Sequence, residues 1–466
     1  MDDGRSAVFY RSPGDQYPMF VRAEGCRLWD ETGHELVDLT SGVSGAAIIG
    51  QGRGDIARAM VDQVGQISYM HTVAGTTRPQ EQLARRLADL APDDVERVMF
   101  SSGGSEANEI ALRIARQYHL ARGEPSRWKV VGLAPSYHGA TAGALSMTGR
   151  WDINRSYQPY VFRTPKVPAP VTYRGPYRGL AHEEVARRAA EALDGAIESE
   201  GPHSVSAFIA EPIALSTGMA VPPDEYWHRV REVCDRHGVL FIADEVITGM
   251  WRTGRFLALD HAGVVADITT MAKGLGAGYA PLGATLITEA VAGTIAAENR
   301  RMAEVHTYSG SAQSCAVGLA VLDVIEAEGL AERSAKLSET LSILLADQIA
   351  DLPWVGDVRG RGLCRGIELV ADRSRRTPLP SGTGVSRTLP EAMWRRGFLS
   401  RAMHHGSALV GDVVSVNPAL TIEVEDLERG IAALRSSIVE VGPDWDGPGA
   451  GENAGSEERA AQEVEQ

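Results

Sequence analysis

At 466 residues, 44% hydrophobic and 23% charged, the chain has the length for two packed lobes or one large α/β unit with extensions, and the composition of a globular protein rather than a disordered one. A net charge of -15 argues against nucleic acid or an anionic membrane as the main partner and points to a small molecule. The four cysteines, Cys26, Cys234, Cys315 and Cys364, stand far apart without a CxxC pair, so neither a disulfide framework nor a zinc site is suggested.

In chain order, "MDDGRSAVFYRSPG" has acids where a signal peptide needs bases, and no run of about 18 apolar residues follows anywhere, so a cytoplasmic location is expected. "CRLWDETGHELVDL" reads as a hairpin turning at "ETGH", and Gly-rich "SGVSGAAIIGQGRG" comes next. From about residue 97 to 290 the short apolar runs "RVMF", "KVVGL", "VSAFIAEP", "VLFIADE", "DITTMAKG" and "GATLIT" alternate with helical patterns, the signature of a largely parallel sheet flanked by helices. "SEANEIALRIARQYHLARG" places Ile110, Ile114 and Tyr118 on one helical face, and "DEYWHRVREVCDRHG" is amphipathic with Gly238 as its stop. "RTPKVPAPVTYRGPYRG" reads as a long loop. Beyond residue 325 come helical stretches, the strand-like "GLCRGIELV" and a last helix near "VEDLERGIAALRSSIVEV".

The expected organisation is a large domain over 71–325 and a smaller α+β domain assembled from both ends, 1–70 and 326–442. Residues 443–466 carry seven acids against Arg459 alone and read as a disordered acidic tail.

Ligands of open α/β sheets bind outside the carboxyl ends of the strands, so the residue after each apolar run matters most. Those positions hold "SSGGSEANE", then "SYHG", Glu211, Asp244 with Glu245, and Lys273. A Gly-rich helix start exposes backbone N–H groups to a phosphate, and Tyr137 beside it is a candidate wall for a flat heteroaromatic ring. A lysine after a buried run, ahead of a glycine cluster, is a candidate carbonyl nucleophile. A buried carboxylate needs a cation. Together these groups call for pyridoxal 5'-phosphate, with Asp244 at the pyridinium nitrogen and Lys273 as the Schiff-base amine. Adjacent His404 and His405 have poor spacing for a metal site, and no metal is expected.

The motifs "SSGGSEANEIALRIAR", "SYHGAT", "AEPI", "IADEVITGMWRTG", "MAKGLGAGYAPLGA" and "HTYSGSAQSCA" make the chain resemble the class III, or omega-type, aminotransferases of pyridoxal-phosphate fold type I, over about residues 8–440. The resemblance implies a mostly parallel seven-stranded-type sheet flanked by helices, with the smaller domain beside it. It implies Lys273 as Schiff-base lysine and proton shuttle, Asp244 at the ring nitrogen, and Gly104 with Ser105 at the phosphate. Tyr137 would stack on the ring, with His138 beside it, and Val246 would pack on the other face. Glu211 would position neighbouring groups and Glu245 would be scaffolding. Thr307 would reach the phosphate of the neighbouring subunit, implying a homodimer.

Two departures bear on substrate. Glutamate-using relatives carry a gating Glu after "EP" and an Arg before a late "PPL" motif; here Ser216 and Ser415 stand at those places. Both halves of that switch are missing, which lowers the odds of 2-oxoglutarate and resembles the amine:pyruvate subgroup. There Arg401 would match a mobile arginine that binds a substrate carboxylate. Trp251 replaces a glycine of relatives and either narrows a space or fills a core gap. The expected activity is ping-pong amino transfer through pyridoxamine phosphate from an amine or amino acid to a keto acid or aldehyde. Racemase, epimerase or decarboxylase chemistry on the same fold is the alternative.

Overall fold

The computed structural model describes residues 6–12, 15–298, 306–380, 382–404 and 410–445. The chain opens with β1 (Phe20–Glu24), β2 (Arg27–Asp30) and β3 (Glu35–Asp38), then α1 (Gly54–Gln66) and α2 (Arg78–Leu90). The α/β run follows as β4 (Val95–Ser101), α3 (Gly104–Ala121), β5 (Lys129–Ala134), α4 (Ala142–Met147), α5 (Trp151–Asn154), β6 (Lys166–Pro168), α6 (His182–Glu200), β7 (Val205–Ala210), α7 (Asp224–His237), β8 (Leu240–Asp244), β9 (Ile268–Met271) and β10 (Gly283–Thr288). After it come α8 (Glu289–Ala297), α9 (Ala312–Ala327), α10 (Leu330–Gln348), β11 (Val355–Arg361), β12 (Cys364–Asp372), β13 (Thr377–Pro378), α11 (Val385–Arg395), β14 (Phe398–Leu399), β15 (Arg401–Met403), β16 (Asp412–Val416) and α12 (Val424–Val441).

The large sheet has seven strands in the order β4-β10-β9-β8-β7-β5-β6. Only β10 runs against its neighbours. Strand β8 is buried at every position because the sheet is covered on both faces. One face packs Phe208 and Phe241 against Trp227 and Tyr226, and the other packs Ile209, Ile242 and Ile268 against Ile110 and Ile114 of α3. Burial on both faces makes such strands unbroken apolar runs rather than alternating ones. Gly238 ends α7 at φ +63°, where glycine carries no Cβ penalty, and the chain turns directly into β8.

One sequence expectation is corrected. The stretch read as a long loop supplies β6, which pairs parallel with β5 through Gly132–Lys166 and Leu133–Val167. Its prolines hid it. An edge strand needs donors on one side only, so Pro165 and Pro168 are tolerated there, and the Pro165 carbonyl accepts the Gly132 amide at 3.0 Å.

The two chain ends share structure. β14 pairs parallel with β3 in the sheet β1-β2-β3-β14, while β11-β12-β16-β15 form a second sheet that places Arg401 opposite Ser415. At the far end, Gly442–Trp445 form a short helical turn with Trp445 buried near Trp354, so packing continues three residues into the segment read as tail. Residues 446–466 lie outside the described residues.

Candidate active site

Strands β5, β7, β8 and β9 run parallel, so their carboxyl ends open on one edge of the sheet. The loops there enclose a cavity of about 340 Å³, whose lining includes Gly104, Ser105, Tyr137, His138, Glu211, Asp244, Val246 and Lys273. Eight of the ten residues expected to contact the cofactor or the substrate therefore meet in one place. Thr307 and Arg401 do not line it.

Asp244 ends β8, almost fully buried. Its Oδ2 accepts from Asn108 Nδ2 at 2.8 Å and lies 2.8 Å from His138 Nδ1, while Oδ1 accepts the Val246 amide at 3.1 Å. Asn108 is itself fixed, donating to the His138 carbonyl at 2.7 Å and accepting from Thr270 Oγ1 at 2.9 Å. The His138 amide in turn donates to Thr148 Oγ1 at 2.9 Å. His138, expected among the cofactor contacts, thus braces Asp244 at the cavity wall.

Lys273 follows β9 at φ +44°, a left-handed conformation that costs a non-glycine residue about 1–2 kcal/mol. The next turn holds it there, since the Ala277 amide donates to the Lys273 carbonyl at 2.9 Å. Burial lowers the pKa of its ammonium group, opposed by the charges of Asp244 and Glu211. Glu211 accepts the Tyr137 amide at 2.8 Å. Burial, and then the neighbouring Asp244, push its pKa up.

Helix α3 begins at the cavity with no side-chain cap on its first amides, an arrangement that attracts an anion. Gly104 is required by packing, because a Cβ there would meet Val246 Cγ1 at 2.9 Å. Gly139, at φ +141°, likewise lets Ser105 Oγ approach and accept the Ala140 amide at 3.1 Å.

This donor set fits pyridoxal 5'-phosphate: an uncapped helix start with a serine hydroxyl for the phosphate, a braced buried carboxylate for the ring nitrogen, and a buried lysine for the aldehyde. With the sheet order, it defines an enzyme of pyridoxal-phosphate fold type I. The model of the class III aminotransferases matches residues 10–438. The chain belongs to that family, whose cofactor is pyridoxal 5'-phosphate. It is 36% identical to taurine–pyruvate aminotransferase of Rhodobacter capsulatus over 88% of this chain and 89% of that protein. It is 31% identical to diaminobutyrate–2-oxoglutarate transaminase of Halomonas elongata over 90% of this chain and 89% of that one. Among solved structures, the (S)-enantioselective omega-transaminase of Thermomicrobium roseum superposes with a TM-score of 0.84 at 35% identity, covering 92% of this chain and 93% of that chain.

Other sequence candidates lie nearby or elsewhere. Glu245 turns from the cavity and accepts from Thr248 Oγ1 and from the Ala258 and Leu259 amides, both at 3.0 Å, tying down the turn at Ala258–His261. Trp251 packs on Phe256 beside the main core and does not line the cavity. Ser216 Oγ reaches Glu211 at 3.5 Å, and the buried Ser415 hydroxyl has no partner among the described residues. His404 pairs with Asp412 at 2.7 Å, and His405 lies outside the described residues. Among the described residues no group of three or more His, Cys, Asp or Glu could hold a metal.

Two residues escaped sequence reasoning. Asn108 was hidden inside the quoted motif, although a polar residue on the sheet-facing side of α3, between Ala107 and Ile110, was a readable signal. Arg252, fully buried, donates to the Pro418 carbonyl, to Ser41 Oγ at 3.2 Å and to the Gly45 carbonyl at 3.1 Å. It locks the loop that leads to Ala46, another cavity residue.

Asn108→Ala is expected to lower kcat about tenfold, the worth of one hydrogen bond to a charged group. Steady-state kinetics alongside thermal unfolding check this; an unchanged kcat refutes a positioning role for the amide.

Proposed function

We propose that the chain moves an amino group from an amine or amino-acid donor to a keto acid or aldehyde acceptor in two ping-pong half-reactions, with pyruvate favoured over 2-oxoglutarate. When bound, pyridoxal 5'-phosphate supplies the electron sink that acidifies the donor's α-hydrogen. Lys273 Nζ would take that proton from the α-carbon and deliver it at the cofactor's C4′, and its lowered pKa suits the task. Asp244 balances the positive ring nitrogen, Tyr137 and Val246 hold the ring between them, and the amides of α3 with Ser105 hold the phosphate. Racemase or decarboxylase chemistry, open on the residues alone, lacks this support, since each relative described above is named for amino transfer.

Arg401 is read as the ligand of a substrate carboxylate. From β15 it donates to the Val43 carbonyl at 2.9 Å, and its charge is felt at Lys273. Thr307 is read as a phosphate contact of a partner subunit. It is exposed, beside exposed Tyr308, and its carbonyl accepts from Tyr69 at 3.2 Å, so a homodimer through this face is inferred. The large domain over 71–325, the small domain from 1–70 and 326–442, and a cytoplasmic location belong to the same reading.

Ser216 and Ser415 carry the acceptor preference, because no guanidinium occupies the place from which glutamate users hold a second carboxylate. With a common donor, kcat/KM for pyruvate is expected to exceed that for 2-oxoglutarate by at least about tenfold, the worth of one charge-assisted pair. Equal or better use of 2-oxoglutarate, read by chromatography of the amino acid formed, refutes the preference.

A further inference from the structure

Only four of the chain's 46 Lys and Arg residues are lysines. Lys273 belongs to the active site, Lys129 pairs with Glu200 at 2.8 Å and Lys336 is exposed, which leaves Lys166 without a task. It lines a second cavity, of about 510 Å³, together with Arg163, Asn154, Trp151 and Phe162. We propose that this cavity binds a small organic acid that also carries a hydrogen-bond donor, with Lys166 and Arg163 holding the acid group and Asn154 accepting from the donor.

The walls of the cavity are tied together. Ser146 of α4 accepts the Phe162 amide on Oγ at 3.0 Å and the Thr164 hydroxyl on its carbonyl at 2.6 Å. Asn154 Nδ2 donates to the Thr148 carbonyl at 2.7 Å. Thr148 Oγ1 accepts the His138 amide at 2.9 Å, and the Gly149 amide donates to Ser136 Oγ at 2.9 Å, so the cavity adjoins the segment that carries Tyr137. No residue lines both this cavity and the reaction cavity.

Lys166 Nζ donates to the Ser146 carbonyl at 3.1 Å and to Thr164 Oγ1. An ammonium group has three donors, so one remains for a ligand. Neither Lys166 nor Arg163 pairs with a carboxylate among the described residues, and no Asp or Glu lines the cavity. In a chain of net charge -15, two cations in one pocket without an acid leave a place for an anion. Burial pushes the Lys166 pKa down to about 7, and an arriving anion restores its charge. The bond to Thr148 fixes the orientation of the Asn154 amide, whose Oδ1 is buried with no partner among the described residues. A ligand hydroxyl or amino group would satisfy it. Exposed Trp151 and Phe162 add apolar contact area, the usual companion of a few convergent polar groups in a small-molecule site.

The probe is mandelate, which has a carboxylate, a hydroxyl and a ring but no amino group to transfer. Calorimetry of the holoenzyme is expected to show a binding event that Lys166→Met weakens about tenfold and Arg163→Gln about threefold, while the cofactor's visible band stays in place. The unaltered holoenzyme gives a reading that needs no variant. Acetic anhydride at neutral pH labels Lys166 and exposed Lys336, and mass spectrometry should find that mandelate at about four times its Kd slows labelling of Lys166 about fivefold and leaves Lys336 unchanged. Absence of binding, binding that Lys166→Met leaves unaltered, or equal labelling of Lys166 with and without mandelate overturns the site. Mandelate that moves the visible band and binds both variants alike sits in the reaction cavity, which overturns it too.

Discussion

Asp244→Asn is expected to lower kcat/KM by roughly two to four orders of magnitude while the fold survives. The substitution is isosteric, and the amide oxygen still accepts the Val246 amide, which now sits 3.1 Å from Oδ1. What disappears is the charge. A neutral amide cannot hold a proton on the ring nitrogen, and one donor from Asn108 or His138 is left facing an NH2 group. Removing one member of a buried charge pair costs about 3–5 kcal/mol, and each 1.36 kcal/mol is a tenfold change in rate. Kinetics of the cofactor-loaded variant test this, with circular dichroism to establish folding. Activity within tenfold of the parent would show that the ring nitrogen has another partner.

Lys273→Ala is expected to abolish measurable turnover. General acid–base catalysis is worth about 10²- to 10⁴-fold, and the covalent anchoring of the cofactor is lost as well. The backbone at φ +44° stays as strained for alanine as for lysine, so the loss is chemical rather than conformational. A small added primary amine should restore part of the activity, because it can carry the proton when the cavity has room for it. Full turnover in Lys273→Ala would assign the proton transfer to another group. Absorption spectroscopy reads the same variant independently, since the visible band of a lysine-bound cofactor should be missing.

Lys273, Asp244 and Glu211 were legible in the sequence because each ends or follows an unbroken apolar run, and a parallel sheet delivers the ends of its strands to one edge. The α3 start and the amphipathic α7 with its Gly238 stop were legible because their signals lie within a few residues. The rest depended on partners far along the chain. Arg252 looks like any charged residue in a loop until Ser41, Gly45 and Pro418 surround it. His138 looks like a neighbour of the ring until Asp244 is found 2.8 Å from its Nδ1. β6 was missed because three residues between prolines carry no strand period, and only pairing with β5 makes them a strand.

The Arg252 clamp also bears on the order of assembly. Its partners Gly45 and Pro418 lie 207 and 166 residues away in opposite directions along the chain. Loops of that length add little entropy cost to the finished fold, yet contacts so distant in sequence form slowly. During synthesis all seven strands of the large sheet emerge before Pro418 exists, and until then the loop leading to Ala46 lacks its fastening. Cavity residue Ala46 therefore has its fastening only in the completed chain, once the two ends have met.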